Sequence, residues 1–565
     1  MKKRINTKKI IPKLIILFLI IIVAITGIYF KRYAPTDETV DIDSYLGISS
    51  EDDVAIVLDC SLQSAIGKYV DGHIYVSYDT VYNNINDRFF WDSIDKILIF
   101  TTAEGSASAG LDDEGYEYLG SQVTTDYDVV FEDNDTIYVA LDFIKTYANI
   151  TYTYYDEPKR AVITSKWTKV RQVRVTKDTQ LRKLGGVKSP VVSLVSKGDT
   201  LTLIDEGEDW HHVATEDGYI GYVRTSCLSD SVEVTLSNEF EESDVEHNLY
   251  DDKLNILWVQ TTNYSSNYLI NNALEESKSV DVIIPTWFSL DSNEGDITSC
   301  ADTAYVTKAH EKGVKVWGLV NNLENTDIDI DTLLTDTTTR QALENNLINE
   351  VIRCGLDGLN IDFESLNQTQ AKAYLQFIRE ISIKCRNNNI VLSIDDYPPS
   401  DYTACYDFEE QAAFADYIII MAYNEHYSGT DAGSTASLSY VSESIVNSLN
   451  LIPANQLVLG IPFYTRVWSQ EGNDASTLTS TSVSMETAEQ LIEQNNAEKV
   501  WDDELGQYFC EYSADGKNYM IWLEDELSIE EKLKVYSEND LAGAAFWKAD
   551  QETDGVWDVI ASYFQ

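Results

Sequence analysis

The segment Asp357-Gly-Leu-Asn-Ile-Asp-Phe-Glu364 constrains the fold of this chain more than any other. Side chains alternate along an extended strand, so Gly358, Asn360, Asp362 and Glu364 share one face, while Leu359, Ile361 and Phe363 share the other. An acidic face is costly inside a fold unless it lines a wet cavity. The opposite face is apolar, as packing against helices requires. The pattern describes a buried strand that delivers carboxylates to a site.

From Leu254 onward, strand-like apolar runs alternate with amphipathic helices, the signature of a parallel α/β fold. The expected strands are Leu254–Val259, Val280–Ile284, Val314–Val320, Gly358–Glu364, Ile390–Ile394, Tyr417–Ala422, Leu457–Ile461 and Gly543–Trp547. Between the fourth and fifth, Tyr374, Phe377, Ile378 and Ile381 recur at i, i+3, i+4 and i+7, one face of a helix. Eight such strands over 254–565 fit a TIM (β/α)8 barrel, with a small α+β insertion at about 469–526. Active sites of such barrels lie at the C-terminal strand ends, where Glu364 falls. Asp362 lies one residue pair deeper, its Cα about 6.6 Å away. Two carboxylates so close repel when both are ionised, so one holds a proton near neutral pH. A proton retained at that pH suits a general acid for a glycosidic oxygen. Neighbours on one strand do not easily flank a sugar as acid and nucleophile must in an ordinary retaining glycosidase. A substrate's own acetamide oxygen could instead serve as nucleophile.

The same eight residues resemble the DxxDxDxE signature of glycoside hydrolase family 18, and the resemblance covers most of Leu254 to Gln565. It implies Glu364 as acid/base, Asp362 as the group orienting the acetamide during oxazolinium formation, and Asp357 and Asn360 as supports. Asn360 stands where many chitinases have Asp, a form seen in the branch resembling spore-cortex and cell-wall hydrolases. Met421-Ala-Tyr-Asn424 resembles the family's sixth-strand Met-x-Tyr-Asp, which implies that Tyr423 holds the acetamide and that Met421 and Asn424 border the sugar. Asn424 departs from the Asp of that motif. Gly460-Ile-Pro-Phe-Tyr-Thr-Arg466 and Ala544-Ala-Phe-Trp547 resemble the seventh and eighth strand ends. They imply sugar contacts for Tyr464 and Arg466, and Trp547 as the floor beneath the reacting sugar. Glu425 and His426, next in the chain, read as a solvated loop pair.

Upstream, the order is modular. Six basic residues, Lys2, Lys3, Arg4, Lys8, Lys9 and Lys13, precede an apolar run at 14–30. That length is the short end of a membrane span. The basic tail at 1–13 stays cytoplasmic under the positive-inside rule, which leaves the rest extracellular. Ile28-Tyr-Phe-Lys-Arg-Tyr33 offers no small-residue cleavage site, so the run reads as an uncleaved single-pass anchor in the cell membrane. Residues 31–53 read as a linker. Residues 54–168, with His73-Ile-Tyr-Val-Ser-Tyr78 and Thr136-Ile-Tyr-Val-Ala140, resemble the small α+β module named after the N-terminal domain of copper amine oxidases. No copper is implied there, because His73 is the region's only histidine.

Residues 170–229 close on Asp209-Trp-His-His-Val-Ala214 and Gly218-Tyr-Ile-Gly-Tyr-Val223, which resemble a bacterial SH3-like β-barrel and imply attachment to the cell wall. His211 and His212, adjacent on a strand, point apart and make a poor metal pair. An acidic linker at 230–253 leads into the barrel.

The net charge of −53 argues against nucleic acid as a partner. Seven scattered cysteines with no CxxC pair indicate neither a disulfide framework nor a zinc site. The proposed chemistry calls for no metal or organic cofactor. The expected substrate is an amino-sugar polysaccharide, peptidoglycan or a chitin-like glycan, with the SH3-like module tilting towards peptidoglycan. Two other readings stand beside it: a non-catalytic glycan-binding protein on the same barrel, and a two-carboxylate glycosidase with Glu425 as nucleophile.

Overall fold

A computed structural model describes residues 7–472 and 474–564. Lys2, Lys3 and Arg4 of the basic tail lie outside them. The chain forms two compact units, one made of residues up to Phe89 with Ser108–Glu242, the other of Phe90–Ala107 with Ser243 onward. The segment 54–168 is thus divided between the two.

The first unit begins with a helix, Thr7–Tyr33, whose stretch Ile11–Tyr33 has a mean hydropathy of 2.8 and is nowhere buried. It is long and apolar enough to cross a membrane. Within the expected 31–53 linker a short helix, Ile42–Leu46, buries Leu46. A mixed sheet follows, in which Asp53–Leu58 pairs in parallel with Arg160–Thr164 and antiparallel with Gly67–Val70. A second sheet has seven antiparallel strands from Lys169–Arg174 to Val232–Thr235, so its last strand lies in the stretch expected as acidic linker. Val173, Leu181, Leu201, Val213 and Val223 form its core.

The second unit is a closed ring of eight parallel strands: β1 Leu254–Val259, β2 Val282–Pro285, β3 Lys315–Asn321, β4 Gly358–Asp362, β5 Val391–Asp396, β6 Tyr417–Met421, β7 Leu457–Pro462 and β8 Gly543–Trp547. Pairing of β8 with β1 and of β2 with β3 completes the circle. Residues of alternate direction build two cores. Ile256, Trp258, Ile284, Trp317, Leu319 and Tyr417 fill the interior, while Leu257, Ile283, Leu359 and Ile361 face the surrounding helices. Two of those helices, α1 (Thr337–Cys354) and α2 (Gln368–Asn387), start on side-chain caps. Asp336 accepts from Thr339 N–H, and Asn367 with Gln370 forms a capping box.

The strands Phe89–Asp92 and Ile97–Thr101 bring Phe90–Ala107 onto these helices. Asp92 Oδ2 accepts from Thr337 N–H at 2.6 Å, and Gln376 Nε2 donates to Thr101 Oγ1 at 2.9 Å. Between β7 and β8 an antiparallel five-stranded sheet with helix Met485–Asn495 forms the insertion, beginning at Tyr464, two residues past β7. A buried joint ties it down. Glu524 takes Gln507 Nε2 at 2.6 Å, Ser528 Oγ at 2.8 Å and Lys532 Nζ at 2.9 Å, the lysine coming from helix α3 (Glu526–Glu538).

Candidate active site

Strand β4 lies between β3 and β5, in register Asn360↔Ser393 and Ile361↔Ile394. Gly358 is required by packing, since a Cβ there would lie 2.4 Å from the Trp317 ring inside the barrel. On the outer face Phe363 stacks on Phe377, ring centroids 5.8 Å apart, and so fixes β4 against α2. The inner face then has one exit, the C-terminal mouth.

There Asp362 is 8% exposed and its Oδ1 has no partner. Burial first, and then the carboxylates of Asp395, Glu364 and Asp396, hold Asp362 well above the usual carboxylate range. Glu364 stands just past the strand end, half-buried. Asn322, following β3, holds its main chain at two points: Glu364 N–H donates to Asn322 Oδ1 and Asn322 Nδ2 donates to Glu364 C=O, both at 2.9 Å. Tyr397 O–H donates to Glu364 Oε2 at 2.5 Å. The next residue, Ser365, sits at φ 59°, a left-handed turn that carries the chain away from the mouth.

Asn360 is fully buried and donates through Nδ2 to Ser393 Oγ at 2.9 Å and to Asp395 Oδ1 at 2.8 Å. Asp357 is not a support of the pair. It lies at the opposite, N-terminal end of β4, where its Oδ2 accepts from Val316 N–H at 2.8 Å and pairs with His310 Nε2 at 2.8 Å. An extended strand of this length carries it out of reach of Glu364.

The other strand ends converge on the same opening. Tyr423 and Met421 are buried in the mouth from the end of β6. Asn424, at φ 59°, presents Oδ1 to Tyr464 O–H at 2.5 Å and to Arg466 Nη2 at 3.3 Å. Trp547 ends β8 and packs edge-on against Trp258, centroids 5.8 Å apart. Together they line a cleft of about 1140 Å³ that also takes in Tyr402, Tyr427, Tyr440 and Glu443. Glu425 is not among its lining residues. Its Oε2 accepts from Ser437 N–H at 2.9 Å, at the start of helix Leu438–Ser448. The two-carboxylate reading with Glu425 as nucleophile therefore loses its nucleophile to a helix start.

Two residues at the centre escaped the sequence reading. Asp395, on β5, is 3% exposed and lines the cleft. Burial raises it to about 8, against the Asn360 hydrogen bond, which pulls it down. Tyr397 is the second. Ending the fifth strand at Ile394 hid both, although Ser393, Asp395 and Tyr397 alternate onto the inner face.

Among the described residues one acidic group, Asp92, Asp95 and Asp336, has metal-like spacing. Its oxygens take Thr337, Thr338 and Thr339 N–H groups at the start of α1, away from the cleft. His212 stacks on Tyr222, whereas His211 Nδ1 accepts from Gly207 N–H, so the adjacent pair divides as alternation requires.

Residues 256–552 match the family profile of glycosyl hydrolases family 18. The chain is similar to an uncharacterized glycosylase, YvbX, of Bacillus subtilis, 24% identical over 53% of this chain and 89% of that protein. It is also similar to the cortical fragment-lytic enzyme of Bacillus subtilis, 26% identical over 44% of this chain and 59% of that one. Among solved structures, the C-terminal domain of a putative chitinase from Desulfitobacterium hafniense superposes at TM-score 0.51 and 21% identity, over 56% of this chain and all of that one. The Bacillus cereus spore cortex-lytic enzyme SleL superposes at TM-score 0.51 and 20% identity, over 55% and 75%. At these identities the structural likeness speaks to the barrel fold alone.

Proposed function

Because the chain belongs to glycosyl hydrolases family 18, and is a glycosidase, we propose that it hydrolyses β-1,4 bonds to N-acetylated amino sugars by substrate-assisted retention. The observation that carries this reading is the pairing of a reachable carboxylate, Glu364, with a buried one, Asp362, at one strand end. In this reading Glu364 protonates the leaving oxygen and later deprotonates water, while Tyr397 O–H aims its carboxylate. Asp362 takes the acetamide N–H and stabilises the oxazolinium, with Tyr423 as the facing hydroxyl. Trp547 supplies the apolar floor under the sugar ring.

The substrate class we favour is cell-wall peptidoglycan. The similarity to cortical fragment-lytic enzymes supports it, as does the SH3-like resemblance of 170–229, which we take as a wall-attachment module. The helix Thr7–Tyr33 suits a membrane anchor that holds the barrel outside the cell. The test is mass spectrometry of products from purified peptidoglycan and from chitin oligomers, comparing the wild type with E364Q. Sugar fragments should be released by the wild type and not by E364Q. Undiminished release by E364Q, or cleavage of glycans stripped of their N-acetyl groups, would overturn the reading.

A further inference from the structure

We propose that Asp395 is a positioning residue that shares a single proton with Asp362 and receives it when the acetamide needs Asp362 as an anion. The inference rests on the substrate-assisted reading above. Asp362 and Asp395 are the next residues beyond Ile361↔Ile394, the last paired residues of β4 and β5, and by alternation both fall on the inner face with Asn360 and Ser393. Neighbouring strands place such residues about 4.8 Å apart. Both are almost wholly buried, both line the cleft, and neither forms an ion pair with a described residue.

The groups facing Asp395 come from every side of the mouth. Asp362 and Glu364 face it from β4, Tyr423 from β6, Tyr374 from α2, and Asp396 adjoins it on β5. None is a cation. Two adjoining carboxylates without a cation cannot both ionise, so the pair holds at least one proton near neutral pH, and its singly protonated form, with one negative charge, is the one that can exchange that proton.

Asn360 decides where that charge rests. Its amide donates to Asp395 Oδ1, which favours the anion on Asp395, and leaves Asp362 Oδ1 without a donor. At rest, then, Asp362 holds the proton. As the acetamide closes on the anomeric carbon, positive charge grows beside Asp362, and the proton passes from Asp362 Oδ to Asp395 Oδ. No other bond changes in this step, and the pair keeps a charge of minus one throughout. Asp362 becomes the carboxylate that accepts the acetamide N–H. A neutral partner at 395 has no place for this proton, and a fixed anion there would hold it on Asp362.

The experiment compares the wild type, D395N and the swap N360D/D395N, each in the full chain. Initial rates on soluble peptidoglycan strands are measured between pH 4.5 and 9.5, and thermal unfolding is recorded for each variant. The singly protonated pair is the active form, so wild-type kcat should fall as pH rises through the second ionisation of the pair. D395N removes that ionisation. Its kcat should drop about tenfold or more at pH 6–7 with KM within about threefold, and its alkaline limb should move by at least one pH unit. The swap keeps the amide–carboxylate hydrogen bond with its ends exchanged, and should restore the limb and part of kcat. A D395N enzyme with wild-type kcat and pH profile overturns the inference. So does a swap that unfolds like the wild type yet recovers neither limb nor rate. Either result leaves substrate-assisted hydrolysis standing if E364Q is inactive and a thiazoline analogue of the oxazolinium still inhibits the wild type. Loss of those two signatures removes the parent reading instead.

Discussion

Between helices α1 and α2, buried Arg340, Glu380 and Glu344 and half-buried Lys384 sit in the barrel's outer layer, while Asp362 and Asp395 are buried at its mouth, with Asp396 buried behind them on the other face of β5. In the outer layer each charge has an opposite within reach, although burial and the neighbouring Glu380 still hold Glu344 well above the usual carboxylate range. Arg340 Nε meets Glu380 Oε2 at 2.9 Å, Lys384 meets Glu344 at 2.9 Å, and the remaining guanidinium donors reach Leu334 C=O, Thr335 C=O and Thr337 Oγ1. At the mouth there is acid without base. Burial and repulsion push Asp362 and Asp396 well above the ordinary carboxylate range, with Asp395 at about 8. A folded chain meets the desolvation cost of charge by pairing it where only packing is at stake. It leaves the cost standing where a proton has work to do. The contrast predicts which residues answer to stability and which to rate.

The sharpest break between the regions is a crossed pair of substitutions. E364Q should lower turnover about 10³-fold, equivalent to about 4 kcal/mol, with thermal unfolding unchanged. R340M should do the reverse, costing about 3–5 kcal/mol of stability by stranding Glu380, with kcat per folded molecule kept. Circular dichroism melts alongside reducing-end assays check both, and a stability loss in E364Q equal to that of R340M would erase the distinction.

A smaller effect comes from linkage. The folded-state value of Asp395, about 8, lies above its unfolded value near 4. Between those limits the folded chain binds more protons than the unfolded one, so this group's contribution to stability falls as pH rises from about 4 to 8. D395N should therefore gain stability relative to the wild type as pH rises towards 8, and the gap should close towards pH 4.5. Melting temperatures across that range give the slope directly. Smallest is Y397F, which removes the Tyr397–Glu364 hydrogen bond and should cost about threefold to tenfold in kcat. An equal loss in KM alone would move Tyr397 from aiming the carboxylate to binding sugar.

All eight barrel strands were legible to within two residues at each end. Their buried apolar runs leave no rival periodicity, and β4 announced its polar inner face. What stayed hidden has a common cause, namely dependence on partners remote in sequence. Asp395 lies just past the expected strand end at Ile394, and only pairing with β6 shows that the strand runs on. Asp357 looked like a member of the site because it shares a motif with Glu364, yet the strand's length separates them. The segment Phe90–Ala107 carries no sequence mark of its place against α1 and α2. Three-residue strands such as Phe288–Leu290 and Ile297–Ser299 are too short for any period to register.

Asn322 gives the mouth one more property. By gripping the main chain of Glu364 from both its N–H and its C=O, it restricts the residue to motion about its side-chain torsions. Fixing a residue's backbone costs about 1–2 kcal/mol of entropy. Here that loss is taken once, when the barrel folds, and does not recur each time a glycan arrives. The carboxylate meets each new sugar with its search already narrowed to a few rotamers.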